Sequence, residues 1–423
     1  MSRWVEHFPP LPSDCRVPRG ILAYVRSGWS PAHPTFVERG AGSRVWDAQG
    51  RAYVDWVQGK GAVTLGHARS EVDTAAYERA RRGVLLPGCV PEYLELAALL
   101  CERVGIAERA AFVKNGSDAV NVAMELARTF TSRDLVASSG YHGWDARFSE
   151  SEPEKRSAID FGYDLDALTQ LVEAHGKRLA AILVTPEPAF LPEEFLSRVR
   201  ELASAAGALL IVDEVRCGMR VARGGEHERV GVVPDLVTLS KGLANGYPLA
   251  AVLGRADVME ASRDTYVFGT YYAEALSLAA ALVVQHIYDE ERVIERLADV
   301  GQALTRLVDA AFEDAGIDAH WVGPSSLPQL VFRDPNVEAS FYEELAREGV
   351  LFFQDDGQCP SVAHDEESLE LTTRAVRAVA RRLPAGERTA TPVAETLARY
   401  AAMRGIRSPR VRRPRSDAPA DER

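Results

Sequence analysis

Lysine is scarce in this chain of 423 residues: it occurs five times, at Lys60, Lys114, Lys155, Lys177 and Lys241, against 44 arginines. Surface charge is therefore left to guanidinium, and a lysine retained in such a chain is a candidate for work that needs a titratable amine. Cysteine is equally rare. Cys15, Cys89, Cys101, Cys217 and Cys359 are odd in number, scattered and without metal-ligand spacing, so they read as reduced thiols, with no disulfide framework and no metal site expected. No apolar run approaches the roughly 20 residues of a membrane span, so no membrane partner is expected. The opening MSRWVEHFPPLPSD has neither the apolar stretch of a secretory signal nor the Arg/Ser pattern of a transit peptide, and a cytoplasmic location follows as the expectation. Net positive charge is also missing. At -12 the chain is a poor general binder of nucleic acid, which is held by clustered cations. The segment RGIRSPRVRRPRSD, from Arg404 onward, is the basic exception, and its Pro, Ser and Arg content reads as a solvated, disordered tail over 401–423.

What is present is an ordinary globular composition with a clear alternation of elements. From about Ala110 to Arg255, short apolar runs alternate with helical periodicity, the pattern of an α/β fold whose mostly parallel sheet is covered by helices on both faces. Strands are predicted at Ala110 to Val113, Asp134 to Ser138, Ala180 to Thr185, Ala208 to Asp213, Leu236 to Ser240 and Ala250 to Gly254. Helices are predicted at Ser117 to Phe130, Leu165 to His175 and Pro192 to Ala206. Residues 35–57 alternate in two runs around Asp47-Ala48-Gln49-Gly50, which predicts an antiparallel hairpin. Two further strands, Gln329 to Arg333 and Val350 to Phe353, with helices from Val337 and Glu366, suggest that both ends of the chain build a smaller α+β domain. The expected division is an N-terminal segment and part of the small domain over 1–60, a large domain over 61–300, and the rest of the small domain over 301–400.

Four segments carry chemistry. In LVTLSKGLANGYPLAA, Lys241 follows a β-run and precedes a Gly/Asn/Pro loop, so it stands beyond the carboxyl end of a strand, where open α/β sheets bind ligands. A partly desolvated amine there can form a Schiff base. In ALLIVDEVRCG, Asp213 ends an apolar run, where a carboxylate needs a cationic partner. The protonated ring nitrogen of pyridoxal phosphate is one such partner, and a helix cap or ion pair is the structural alternative. FVKNGSDAVNVAMELAR opens a helix directly after Asn115-Gly116-Ser117-Asp118, which suits a phosphate, or a plain helix cap. Tyr141-His142-Gly143 follows another strand, where an aromatic ring could stack on a flat cofactor or simply join the core. No G-x-G-x-x-G or Walker-type loop follows any predicted strand, which counts against a nucleotide enzyme.

Taken in order, NGSDA, YHG, DEV followed by CG, SKGLANGYPLAA and FGTYYAEALSLAAA resemble the class III, ornithine-type, aminotransferases among the fold-type-I pyridoxal-phosphate enzymes. The likeness spans about residues 18 to 380 and is greatest to the glutamate-1-semialdehyde aminomutase branch, through PRGILAYVR, DWVQGKGAVTLGH and PSVAHDEESLE. The resemblance implies that pyridoxal 5'-phosphate is the cofactor, with Lys241 as its Schiff-base and proton-shuttling residue and pyridoxamine phosphate as the form that carries the nitrogen. It implies Asp213 at the ring nitrogen, Val215 and Tyr141 on the two ring faces, and Gly116 and Ser117 at the phosphate. Thr270 would reach that phosphate from a partner subunit, making an obligate homodimer with shared sites. His142 and Arg216 fall beside these as further cofactor contacts. Arg26 would bind a substrate carboxylate, with Lys60 and Asp356 lining the substrate side.

The departures from the aminomutase concentrate on that side. Lys60 stands where it has tryptophan, Asp356 where it has a longer acid, Ala23 where it has serine, and Arg216 where class III enzymes often carry Gln or Met. After Glu187-Pro188 the chain runs directly into AFLPEEFL. The activity implied is transfer of an amino group from a small-molecule donor to a carbonyl acceptor that bears a carboxylate. The same chemistry within one molecule, as in an aminomutase, is the alternative, and a non-catalytic relative that keeps the fold is a remote one.

Overall fold

The computed structural model describes residues 32–34, 36–143, 158–354, 356–383 and 393–403. Its centre is a seven-stranded sheet in the order β4-β10-β9-β8-β7-β5-β6, built from Arg109–Val113 (β4), Leu135–Ser139 (β5), Ala158–Asp160 (β6), Leu179–Val184 (β7), Leu209–Asp213 (β8), Leu236–Leu239 (β9) and Ala250–Gly254 (β10). Every pairing among β5 to β9 is parallel; β10 runs antiparallel to both neighbours. Strands β7 (LAAILV) and β8 (LLIVD) are buried at every position. Strands covered on both faces read as continuous apolar runs, which is why these two were plain in the sequence.

Helix Gly116–Thr131 crosses one face of this sheet, with Val120, Ala123, Met124 and Ala127 in a core with Val136, Leu183, Ile211 and Leu236. Its start is fixed by Asn115, whose side chain accepts the Asp118 backbone N–H at 2.9 Å. Helices Leu165–His175 and Phe195–Ala206 cover the opposite face, where Leu168, Leu196 and Val199 join Ile182 and Leu210. The apolar helix Ala275–Glu290 packs with helices Ser70–Ala80 and Pro91–Val104 beside β9 and β10.

A second sheet, in the order β1-β2-β3-β13, joins the two halves of the chain. Val37–Ala41 (β1), Arg44–Asp47 (β2) and Ala52–Asp55 (β3) form an antiparallel meander, and Val350–Leu351 (β13) lies parallel to β3. The Asp47 to Gly50 turn lies where expected, but the first predicted run is two strands, because the chain turns between Ala41 and Arg44. Val54 and Trp56 share a core with Phe332, Phe341, Phe352 and Val376, so both ends of the chain contribute to it. A ribbon of Ala319–Val322 (β11) and Gln329–Phe332 (β12) stands beside it. Helix Val393–Met403 closes on β12: Tyr400 Oη accepts the Phe332 N–H at 2.9 Å, and Arg399 Nη2 donates to the Phe332 carbonyl at 2.6 Å.

Strands β6 and β11 have no counterpart among the predicted elements. The helix foreseen from Pro192 begins at Phe195. Arg26 and the basic segment from Arg404 lie outside the described residues.

Candidate active site

The carboxyl ends of β4, β5, β7, β8 and β9 deliver the candidate residues to one side of the large sheet. Asp213, the last residue of β8, is buried with four polar groups about its carboxylate. Thr238 Oγ1 and the Val215 N–H reach Oδ1 at 3.0 and 3.2 Å; Thr185 Oγ1 reaches Oδ2 at 3.2 Å, and His142 Nδ1 lies 3.1 Å from the same oxygen. Such a carboxylate is held in one orientation, which a partner at a cationic ring nitrogen would require. The neighbouring Glu214 serves the turn at Glu226–Arg229: it accepts the N–H groups of Glu226 and His227 at 3.0 and 2.8 Å. The structural-cap reading open for this acidic pair thus falls to Glu214.

Beside Asp213, Val215 meets the start of helix Gly116–Thr131. A Cβ on Gly116 would lie 2.9 Å from Val215 Cγ1, and a Cβ on Gly143, at φ +84°, would lie 1.9 Å from Ser117 Oγ. Glycine is therefore required at both positions, and it lets the 115–117, 141–143 and 213–215 segments close into one cradle under a helix N-terminus. The Tyr141 ring is 78% exposed at the rim, while its carbonyl lies 3.0 Å from Thr185 Oγ1. A buried acid, a helix N-terminus cleared by glycine and an aromatic rim fit the ring and phosphate of pyridoxal phosphate.

Lys241 follows β9 at the start of a tight turn and holds a left-handed backbone, φ +48°. That conformation is costly for a residue with a Cβ and is kept where the surroundings impose it. Asn245 anchors the turn, accepting the Leu65 N–H at 2.9 Å and donating to the Gly66 carbonyl at 3.0 Å. Burial holds the Lys241 amine below the ordinary lysine value; Asp356 counters that shift and Arg216 adds to it. A depressed amine is the form that attacks an aldehyde.

Lys241 shares a pocket with Lys60, Arg216, Arg220, Phe353, Asp356 and Cys359 among its lining. Arg216 donates to Glu187 Oε2 at 2.7 Å and to Asp356 Oδ1. Arg220 is buried and spans three carbonyls: Ser326 at 3.1 Å, Pro360 at 2.9 Å and Gly61 at 3.3 Å. Lys60 belongs to a left-handed turn over Gln58–Gly61, with φ values of 45°, 60°, 57° and 85°, and its amine lies 5.7 Å from the Phe353 ring centre.

Thr270 is exposed in the loop before helix Ala275–Glu290, with exposed Tyr266, Phe268 and Tyr271 around it. Lys114 and Glu274, paired at 2.8 Å, tie that loop to the end of β4. Sequence reasoning missed Thr185, Thr238, Glu187 and Arg220. Thr238 had a signal, since it is three residues before Lys241 on the strand paired with β8.

The fold and the cradle together define a fold-type-I pyridoxal-phosphate enzyme. The model for "Aminotransferase class-III" matches residues 25–317, and the chain belongs to that family. It is 32% identical over 383 residues to the 2'-deamino-2'-hydroxyneamine transaminase of Streptomyces kanamyceticus, covering 87% of this chain and 95% of the relative. It is 31% identical over 404 residues to the glutamate-1-semialdehyde 2,1-aminomutase of Thermomicrobium roseum, covering 85% and 94%. Among solved structures it is similar to the PLP internal aldimine form of the FumI protein of a Sphingopyxis species, with a TM-score of 0.80 and 30% identity over 84% of this chain and 90% of the other. The protein is a class III aminotransferase-family enzyme, and its cofactor is pyridoxal phosphate.

Proposed function

We propose that Lys241 holds the cofactor and carries the proton in an amino transfer from a small-molecule donor to a carbonyl acceptor bearing a carboxylate. The observation that carries this reading is the pairing of β8 with β9, which sets Asp213 opposite Thr238, three residues before Lys241. When bound, pyridoxal phosphate supplies the aldehyde that takes up nitrogen and the ring that accepts an electron pair.

The chain's own residues do the rest. Asp213, oriented by His142, Thr185 and Thr238, holds a positive charge at the ring nitrogen. Val215 and Tyr141 would bracket the ring, and Gly116 and Ser117 would present the helix start to the phosphate. The Lys241 amine would accept the proton lost from the donor's amino-bearing carbon and, in the return half of the transfer, supply one to the acceptor's carbonyl carbon.

Arg26, Lys60 and Asp356 are the proposed substrate residues. Among the described cations of the pocket, Arg216 is engaged by two carboxylates and Arg220 by three carbonyls, which leaves Lys60 to meet a substrate carboxylate. The protein is further proposed to act in the cytoplasm as a homodimer. There Thr270 reaches the partner's phosphate and the exposed aromatic residues around it are covered. Domain limits near residues 60, 300 and 400 belong to the same reading.

The aminomutase alternative is favoured by the similarity to such enzymes. Incubating the cofactor-loaded enzyme with donor and acceptor, singly and together, separates the two. Turnover that needs both supports transfer between molecules; sustained conversion of one substrate alone overturns it. Borohydride reduction should fix the cofactor at Lys241, and a label elsewhere defeats the assignment.

A further inference from the structure

The Arg216 guanidinium is gripped from two directions. Glu187 follows β7 of the large sheet, and Asp356 follows β13 of the small one. The three side chains are 12%, 5% and 22% exposed, so water screens the cluster weakly. One cation between two anions is a locked arrangement, and Arg216 is poorly placed to swing out for a ligand. Two members, Arg216 and Asp356, also line the pocket that holds Lys241, while Glu187 does not. Lys241 therefore has a fixed positive charge and a fixed negative charge beside it, each kept in place by the other.

We propose that the Glu187–Arg216–Asp356 clamp is a positioning device that sets the protonation of the nitrogen at Lys241, with Arg216 pressing it towards the neutral form and Asp356 towards the charged one. The inference rests on the reading of Lys241 as the cofactor lysine. Charged and titratable groups reach this nitrogen from every surrounding segment. Asp213 comes from β8, Arg216 and Arg220 from the chain after it, Asp356 and Cys359 from the segment after β13, and Lys60 from the left-handed turn. Asp356, Cys359 and Asp213 act on the amine in one direction and Arg216 in the other. Glu187 lies outside the pocket lining and holds Arg216 from behind. Arg216 and Asp356 are thus positioning residues, and their signatures have opposite sign.

The test is the pH dependence of the visible absorption of the bound cofactor in full-length, cofactor-loaded protein, a readout independent of turnover. Asp356→Asn removes the anion and should move the transition down by about one pH unit, while Arg216→Gln should move it up by a similar amount. Glu187→Gln leaves both neighbours of Lys241 in place and should shift it by less than either. Asp356→Glu keeps the charge and should restore the original midpoint. Shifts of the same sign in Asp356→Asn and Arg216→Gln, or unmoved midpoints in both, overturn the clamp. If one of the two does not load, the other decides together with Asp356→Glu: a midpoint moved against its expected sign, or one displaced as far by Asp356→Glu, overturns the proposal. A wild-type protein that loads but yields no borohydride-fixed label at Lys241 defeats the cofactor-lysine reading instead.

Discussion

Asp213 and Glu214 are consecutive, both buried, and divided in their duties: the first gathers Thr185, Thr238, Val215 and His142, the second caps the turn at Glu226 and His227. Asp213→Asn keeps the shape but loses the charge, so cofactor-loaded protein should remain folded and lose about a hundredfold or more in kcat. Glu214→Gln should instead lower the melting temperature and change kcat much less. Paired melting curves and steady-state rates check the division; a larger loss of kcat in Glu214→Gln than in Asp213→Asn would refute it.

The glycine cradle gives a second expectation. Gly116→Ala places a methyl 2.9 Å from Val215 Cγ1, and the valine must yield. Cofactor affinity, measured by equilibrium dialysis of the refilled apoprotein, should fall about tenfold, the equivalent of roughly 1.4 kcal/mol. Gly143→Ala, strained at φ +84° and aimed at Ser117 Oγ, should fall further.

Lys241 sets stability against function. Its amine is depressed in the folded protein, so below the ordinary lysine value the unfolded chain binds more protons and the apoprotein is penalised. Lys241→Met should raise the apoprotein's melting temperature at neutral pH while abolishing covalent cofactor attachment. The gain should shrink as pH rises through the ordinary lysine value, above which both states of the wild-type amine are neutral. Differential scanning calorimetry of apoproteins reads it, and a gain that grows with pH contradicts it.

His364 controls acid tolerance. Its ring stacks on Trp56 at 3.8 Å; Nδ1 accepts the Ser361 N–H at 3.0 Å, and Nε2 lies 3.0 Å from the Asp55 carbonyl, to which the neutral ring donates. Burial lowers this histidine from 6.5 to about 4. The neutral ring's contribution is complete above the unfolded value and is lost as pH falls from 6.5 to about 4. The loss is roughly 3 kcal/mol by linkage. His364→Gln should be less stable at neutral pH and show a flatter decline through that window in urea titrations.

Much of this was legible in the chain. The buried parallel strands announced themselves as unbroken apolar runs, and Lys241 stood out because lysine is so scarce beside arginine. Asp213 was visible as an acid ending such a run. What stayed hidden depends on distant partners. Glu187, Thr185 and Arg220 are unremarkable in sequence, and acquire meaning when the carboxyl ends of several strands meet. Strand β6 has three residues and β11 is half-buried throughout, too short or too exposed to leave a periodic signature. Arg216 was expected beside the cofactor, yet its two carboxylate partners come from segments 29 and 140 residues away.

The contact between helix Val393–Met403 and β12 bears on how the ribbon avoids pairing with a foreign strand. Tyr400 and Arg399 occupy the Phe332 backbone groups that another strand could otherwise bond. The helix thus acts as an edge guard for a two-stranded ribbon. A chain ending at residue 390 would leave that edge bare, and its characteristic defect would be self-association through ribbon pairing, even with the cofactor cradle intact.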